Sequence, residues 1–142
     1  MKKLLGTKMK MTSVFKDGRM LGVTPIKLSE KSDIGEVKEG VLVRVSGVTK
    51  GHGFQGVVKR HGFHGGPATH GQKNRLRAPG SIGSTAPQRV VPGRRMAGRM
   101  GMERVTQKNI KLVSVDMEKK ILMINGAIPG TIGRAVELRI NE

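Results

Sequence analysis

Residues 41 to 56 read VLVRVSGVTKGHGFQG, and the change of texture inside this stretch decides the fold. Val41 to Val48 is rich in β-branched residues and sets Arg44 and Ser46 on one alternate face, the period-two signature of a strand. From Lys50 the alternation stops. Glycine, histidine and basic residues take over and hold as far as Arg104.

Outward from this boundary both flanks have strand texture. Upstream, KMTSVF (10 to 15) and MLGVTPI (20 to 26) enclose Lys16-Asp17-Gly18-Arg19, and Asp-Gly between two apolar runs is a hairpin signal. A polar connection, SEKSDIGEVKEG (29 to 40), follows. Downstream, IKLVSV (110 to 115), ILMIN (121 to 125) and AVELRI (135 to 140) predict three more strands. Between the last two, GAIPGTIG (126 to 133) carries Pro129 and three glycines, which suits a tight excursion rather than a helix. No helical period persists anywhere. The expected fold is mainly β, a small barrel or barrel-like sheet built from residues 1–49 and 105–142.

Residues 50–104 differ in kind. They hold twelve of the 21 glycines, all four histidines and eleven Lys and Arg against one acid, Glu103, a net charge of +10. A chain this polar cannot bury enough apolar surface to offset its ordering entropy, roughly 1–2 kcal/mol per residue for the backbone. The expectation is a long inserted loop that orders on its partner.

The charge says what that partner is. Across 142 residues, 27 Lys and Arg stand against 10 Asp and Glu, a formal net charge of +17. Self-repulsion of this size calls for a polyanion. No run approaches the ~18 apolar residues of a spanning helix, and no basic amphipathic helix is written, so nucleic acid is expected and a membrane is not. The absence of cysteine excludes disulfides, thiolate zinc sites and thiol catalysis. The opening MKKLL has the start of a signal peptide, but its apolar run ends at Gly6 and charge returns at Lys8 and Lys10; it reads as mature sequence. With three Phe and no Tyr or Trp, phosphate contacts and shape are expected to dominate over extended base stacking.

Motifs inside the loop narrow the chemistry. Gly51-His52-Gly53-Phe54-Gln55-Gly56 matches G-x-G-x-x-G after a strand, but no helix pattern follows and no acid lies between Glu39 and Glu103 to hold a ribose, so no nucleotide cofactor is expected. His52, His61, His64 and His70 lack the thiolates or carboxylates that complete a metal site; they read as donors to phosphate or surfaces for a base. Without a general acid and base pair, and with no carboxylate to orient Ser81 or Ser84, no catalytic residue is assigned and no small-molecule substrate is expected. APGSIG (78 to 83) reads equally as an ordinary loop end or as a finger for a narrow space, flanked by Arg75 and Arg77 on one arm and Arg89, Arg94 and Arg95 on the other. RRMAGRMG (94 to 101) reads as a phosphate clamp, since the planar fork of arginine matches phosphates and base edges.

KGHGFQGVVKRHGFHGGPATHG (50 to 71), RAPGSIG (77 to 83) and RRMAGRMG (94 to 101) together resemble the signature of the ribosomal protein L3 family in its bacterial form. LLGTKMKMTSVF, KNIKLVSVD and ILMINGAIPG extend the resemblance in order and spacing. It implies a β-barrel anchored on large-subunit ribosomal RNA among neighbouring ribosomal proteins, with a long loop reaching toward the peptidyl transferase centre. The loop end would be Pro79, Gly80, Ser81, Ile82, Gly83 and Ser84. RNA-binding residues would be Lys50, His52, Lys59, Arg60, His61, His70, Lys73, Arg75, Arg77, Arg89, Arg94, Arg95, Arg99 and Arg104.

Two departures from the family stand out. The stretch between the first hairpin and the strand before KGHGFQG is much shorter here, which implies a partly reduced barrel. Ser84 stands where bacterial members often have a methylated glutamine, so that modification is not expected. A cytoplasmic ribosome is the expected location, with an organellar one left open. The competing readings are a free-standing RNA chaperone or nucleoid-type binder and, further off, a His-dependent nuclease.

Overall fold

The computed structural model describes residues 2 to 29 and 37 to 140. Part of the polar connection at 29 to 40, namely 30 to 36, lies outside the described residues. Contacts divide the chain into two compact units, Met1–Lys50 with Met102–Glu142, and Gly51–Gly101.

The first unit is a closed antiparallel barrel. Its strands are β1 (Lys2–Lys8), β3 (Arg19–Leu28), β4 (Leu42–Val48), β7 (Arg104–Asp116), β8 (Ile121–Asn125) and β9 (Ala135–Ile140). They pair in the order β1-β9-β4-β7-β8-β3, and β3 returns to β1 through Gly6↔Leu28, Thr7↔Lys27 and Lys8↔Ile26. A further strand, β2 (Thr12–Lys16), hangs on β3 as a hairpin whose turn is Asp17-Gly18. Both turn residues have positive φ (53° and 72°), which a two-residue hairpin of this hand needs and which Asp-Gly supplies. Among the described strands of this unit, closure leaves only the hairpin with a free edge.

Alternation fills the interior. Along β9, Val136, Leu138 and Ile140 are buried while Ala135 and Arg139 face out; β8 turns Leu122 and Ile124 inward. With Leu4, Ile26, Leu28, Val43, Val45, Leu112 and Ile128 they form one contiguous core. Ser46, on the outer face of β4, is nonetheless buried, its hydroxyl 2.8 Å from the Thr106 hydroxyl across the pair with β7.

Three features go beyond the expected small barrel. The reduced barrel is closed, because the shortened connection still lets six strands complete the ring. β1 carries no strand pattern that sequence reading picks out. Its inward positions are Leu4, Gly6 and Lys8, only one of them a large apolar residue, while Leu5 faces solvent. Gly6 is required at the seam: a Cβ there would lie 2.6 Å from Ile26 Cγ2 and 2.8 Å from the Lys27 carbonyl oxygen. Finally, β7 starts at Arg104 rather than 110, its first turn-side residues exposed and its register against β4 shifted near Asn109, whose φ is +58°.

Residues 51–101 also contain regular structure. β5 (Phe54–Gln55) pairs with β6 (Gly98–Arg99), and a five-residue helix, α1, spans Val57–His61. Five residues are too few to show a helical period in sequence. Among the described residues no helix is long and apolar enough to cross a membrane.

Candidate nucleic-acid interface

Residues 51–101 carry nine Lys and Arg and not one Asp or Glu. Eight of the nine are exposed, Arg60 being half-buried. The acids lie elsewhere, and among the described residues every ion pair belongs to the barrel unit: Lys16 with Glu39 (2.7 Å), Lys119 with Asp116 (3.9 Å), and Lys3, Arg104 and Arg139 with Glu137. The charge of the second unit is therefore uncompensated within itself, the condition under which a cationic surface draws in and holds phosphate.

A neck of backbone hydrogen bonds holds the two arms of this unit together. The His52 N–H donates to the Met100 carbonyl (2.9 Å) and the Met100 N–H to the Gly53 carbonyl (3.0 Å), beside the pairs Phe54↔Arg99 and Gln55↔Gly98. Arg60 Nη1 then donates to the Met96 carbonyl (2.7 Å), and His61 Nε2 lies 3.0 Å from the same oxygen. Both side chains of α1 thus fasten the returning arm. Gly98 lies against the Arg60 side chain, since a Cβ at 98 would come within 2.6 Å of the guanidinium and make it shift.

Farther out, the chain doubles back on itself. The Gly66 N–H donates to the Leu76 carbonyl (3.1 Å), and a Cβ on Gly65 would sit 1.9 Å from that same oxygen, at a residue whose φ is already +76°. No residue with a side chain fits. This contact brings Arg75 and Arg77 back beside the start of the loop. The end of the loop, Pro79 to Ser84, is exposed apart from local bonds: the Ser81 hydroxyl donates to the Gly83 carbonyl (2.9 Å), and the Arg94 guanidinium donates to the Ser81 carbonyl. Ile82 is 44% exposed.

The residues singled out in sequence fall into three sets. Lys59, Lys73, Arg75, Arg77, Arg89, Arg94, Arg95 and Arg99 present charge on the second unit, together with exposed His52 and His70. Arg60 and His61 also act inward, on the Met96 carbonyl. Lys50 and Arg104 belong to the barrel unit, and Arg104 is held 2.7 Å from Glu137. Sequence reading passed over Phe63 and Gln72, which with His61, Arg75 and Arg95 line a hollow in the second unit. No spacing announces them, because they come together through contacts between segments distant in sequence, the Gly65–Leu76 approach among them.

The Ribosomal protein L3 family model matches residues 20–120. The proteins named large ribosomal subunit protein uL3 from Dehalococcoides mccartyi, Chloroherpeton thalassium and Chlorobium limicola are 49%, 54% and 48% identical to this chain over 109, 102 and 128 residues, covering 76%, 71% and 79% of it. The same alignments cover 53%, 49% and 61% of the relatives, so the chain spans about half the length of the curated relatives it matches. With the barrel, the acid-free loop and this match over most of its residues, the chain belongs to the ribosomal protein L3 family.

Proposed function

We propose that the chain is a structural constituent of the large ribosomal subunit, binds that subunit's RNA through residues 50–104, and performs no chemistry itself. The observation that carries this reading is the unit of 51–101, with nine Lys and Arg, no acid and eight exposed cations, in a member of the L3 family. Arginine forks and glycine-lined backbone are suited to closely packed phosphates. By its place in the chain, the end of the loop at Pro79 to Ser84 supports RNA near the peptidyl transferase centre. The basic residues on both arms neutralise phosphates along the way. The loop orders fully on that RNA, among neighbouring ribosomal proteins, and the location is the cytoplasmic ribosome.

The test is sedimentation of the tagged chain from its own cell lysate through a high-salt sucrose gradient. Migration with the large subunit supports the reading, because many buried contacts resist counterion competition. Release into light fractions overturns it in favour of a freely exchanging RNA chaperone, whose phosphate contacts are salt-labile. Within the particle, Arg77→Glu is expected to impair assembly or peptide-bond formation while leaving the barrel's stability unchanged.

A further inference from the structure

The hollow in the second unit measures about 670 Å³, within the range of roughly 300–1,000 Å³ typical of sites for small organic groups. Among the residues that line it, Arg75, Arg95, His61, His64 and Gln72 have side chains able to donate to an anion. No carboxylate lies anywhere in residues 51–101, so nothing in the unit would pair with a cationic ligand. The apolar share includes Phe63, whose ring lies 6.0 Å from that of His61 and tilted 44° to it. Glycine backbone forms much of the remaining wall, and the Gly65–Leu76 approach holds that wall in place.

Donors for a phosphate beside aromatic faces for a planar ring specify a nucleotide. We propose that this hollow seats one nucleotide turned out of its RNA strand, with its phosphate on Arg75 and Arg95 and its base against Phe63 and His61. The Gln72 amide, which can both donate and accept, is then available to a base edge. The hollow is open to solvent, so a strand can enter and leave while one residue stays inside. A free mononucleotide offers the same chemistry. The charge spread over the rest of the unit favours the strand, since eight exposed cations have no use for a single phosphate. The inference rests on the RNA-binding reading above and adds to it a defined site for a single base.

The experiment compares large subunits carrying the wild-type chain, Arg75→Gln/Arg95→Gln, Phe63→Leu, and Arg89→Gln as a change outside the hollow. Their RNA is probed by 2′-hydroxyl acylation and by base-specific alkylation. With all four chains in the particle, one nucleotide or two adjacent ones are expected to gain reactivity about fivefold or more in both hollow variants, the size of shift that loss of a stacked base carries. Arg89→Gln leaves those positions unchanged. Particles that contain the variants but show the wild-type pattern, or show diffuse changes shared with Arg89→Gln, overturn the site while leaving the ribosomal reading intact. Failure of even the wild-type chain to enter the particle removes the ribosomal reading and this proposal with it. Saturable binding of a ribonucleoside 5′-monophosphate to the full chain without RNA, lost in the double variant, would assign the hollow to a free nucleotide and overturn the strand.

Discussion

The Lys8 amino group lies 2.6 Å from the carbonyl oxygen of Ile128 and donates to it from inside the barrel unit. It also donates to the Gly130 carbonyl at 2.7 Å, while the Lys8 backbone receives the Gly133 N–H and donates to the Arg134 carbonyl. One residue of β1 therefore holds the whole Gly-Pro excursion between β8 and β9. Burial pushes the Lys8 pKa below its ordinary value, with the nearby charge of Lys50 adding to the effect.

Lys8→Met keeps the length of the side chain and removes the donor. Two carbonyls lose a charged partner, a loss of about 2 kcal/mol, which corresponds to a drop of roughly 10 °C in the melting midpoint of a domain this size. Thermal unfolding followed by circular dichroism checks it; an unchanged midpoint would show that water replaces the amino group without cost.

Gly6→Ala tests barrel closure. The added methyl meets Ile26 and the Lys27 carbonyl well inside contact distance, and the β1–β3 seam has to part to admit it. Destabilisation of about 1–3 kcal/mol is expected, with faster amide exchange at Ser29, whose N–H donates to the Leu5 carbonyl across that seam, than at Leu138. Equal protection at the two positions would mean that the barrel absorbs the methyl elsewhere.

Glu137 joins three strands. Its carboxylate accepts from Arg139 on its own strand (2.8 Å) and from Arg104 on β7 (2.7 Å), with Lys3 of β1 at 3.4 Å. The hydrogen bond from Arg139, then the bond and charge of Lys3 and the charge of Arg104, hold its pKa below the ordinary 4.5 despite the opposing effect of burial. The folded value lies below the unfolded one, so this contribution is complete above pH 4.5 and is lost as the pH falls through the folded value. Its size is about 1 kcal/mol, because the three cations are half exposed and screened. Glu137→Gln should lower stability at pH 7 by that amount and converge with the wild type in strong acid. Parallel pH–stability curves would contradict it.

Salt dependence separates cations that meet RNA from cations already matched. Arg99→Gln and Arg89→Gln are each expected to lessen the slope of log K against log salt by about 0.7–0.9 for large-subunit RNA. Arg104→Gln should change the slope less, because that guanidinium is already engaged with Glu137. Equal changes in all three would show that Arg104 leaves Glu137 for phosphate on binding.

Much of this was legible in the residues. Asp17-Gly18 marked its hairpin because few dipeptides reach positive φ twice, and ILMIN and AVELRI announced strands by putting apolar residues on alternate positions. The basic loop, with Glu103 as its one acid, was legible as a segment that calls for a polyanion because charge is additive along a chain and needs no geometry.

What the fold alone decided is where packing overrode pattern. β1 is a strand although its inward face reads Leu, Gly, Lys: the glycine answers a backbone approach from β3, and the lysine answers carbonyls more than a hundred residues away. The hollow was likewise invisible, since His61, Phe63, Arg75 and Arg95 lie on segments far apart in sequence and share it through contacts such as the approach of Gly65 to the Leu76 carbonyl and of Arg60 and His61 to the Met96 carbonyl. Composition and local periodicity were enough to determine a basic, mainly β protein whose charge calls for a polyanion. Closure of the barrel and assembly of a base-sized site depended on contacts between residues distant in sequence, whose partners are chosen by steric fit and hydrogen-bond satisfaction that no local pattern encodes.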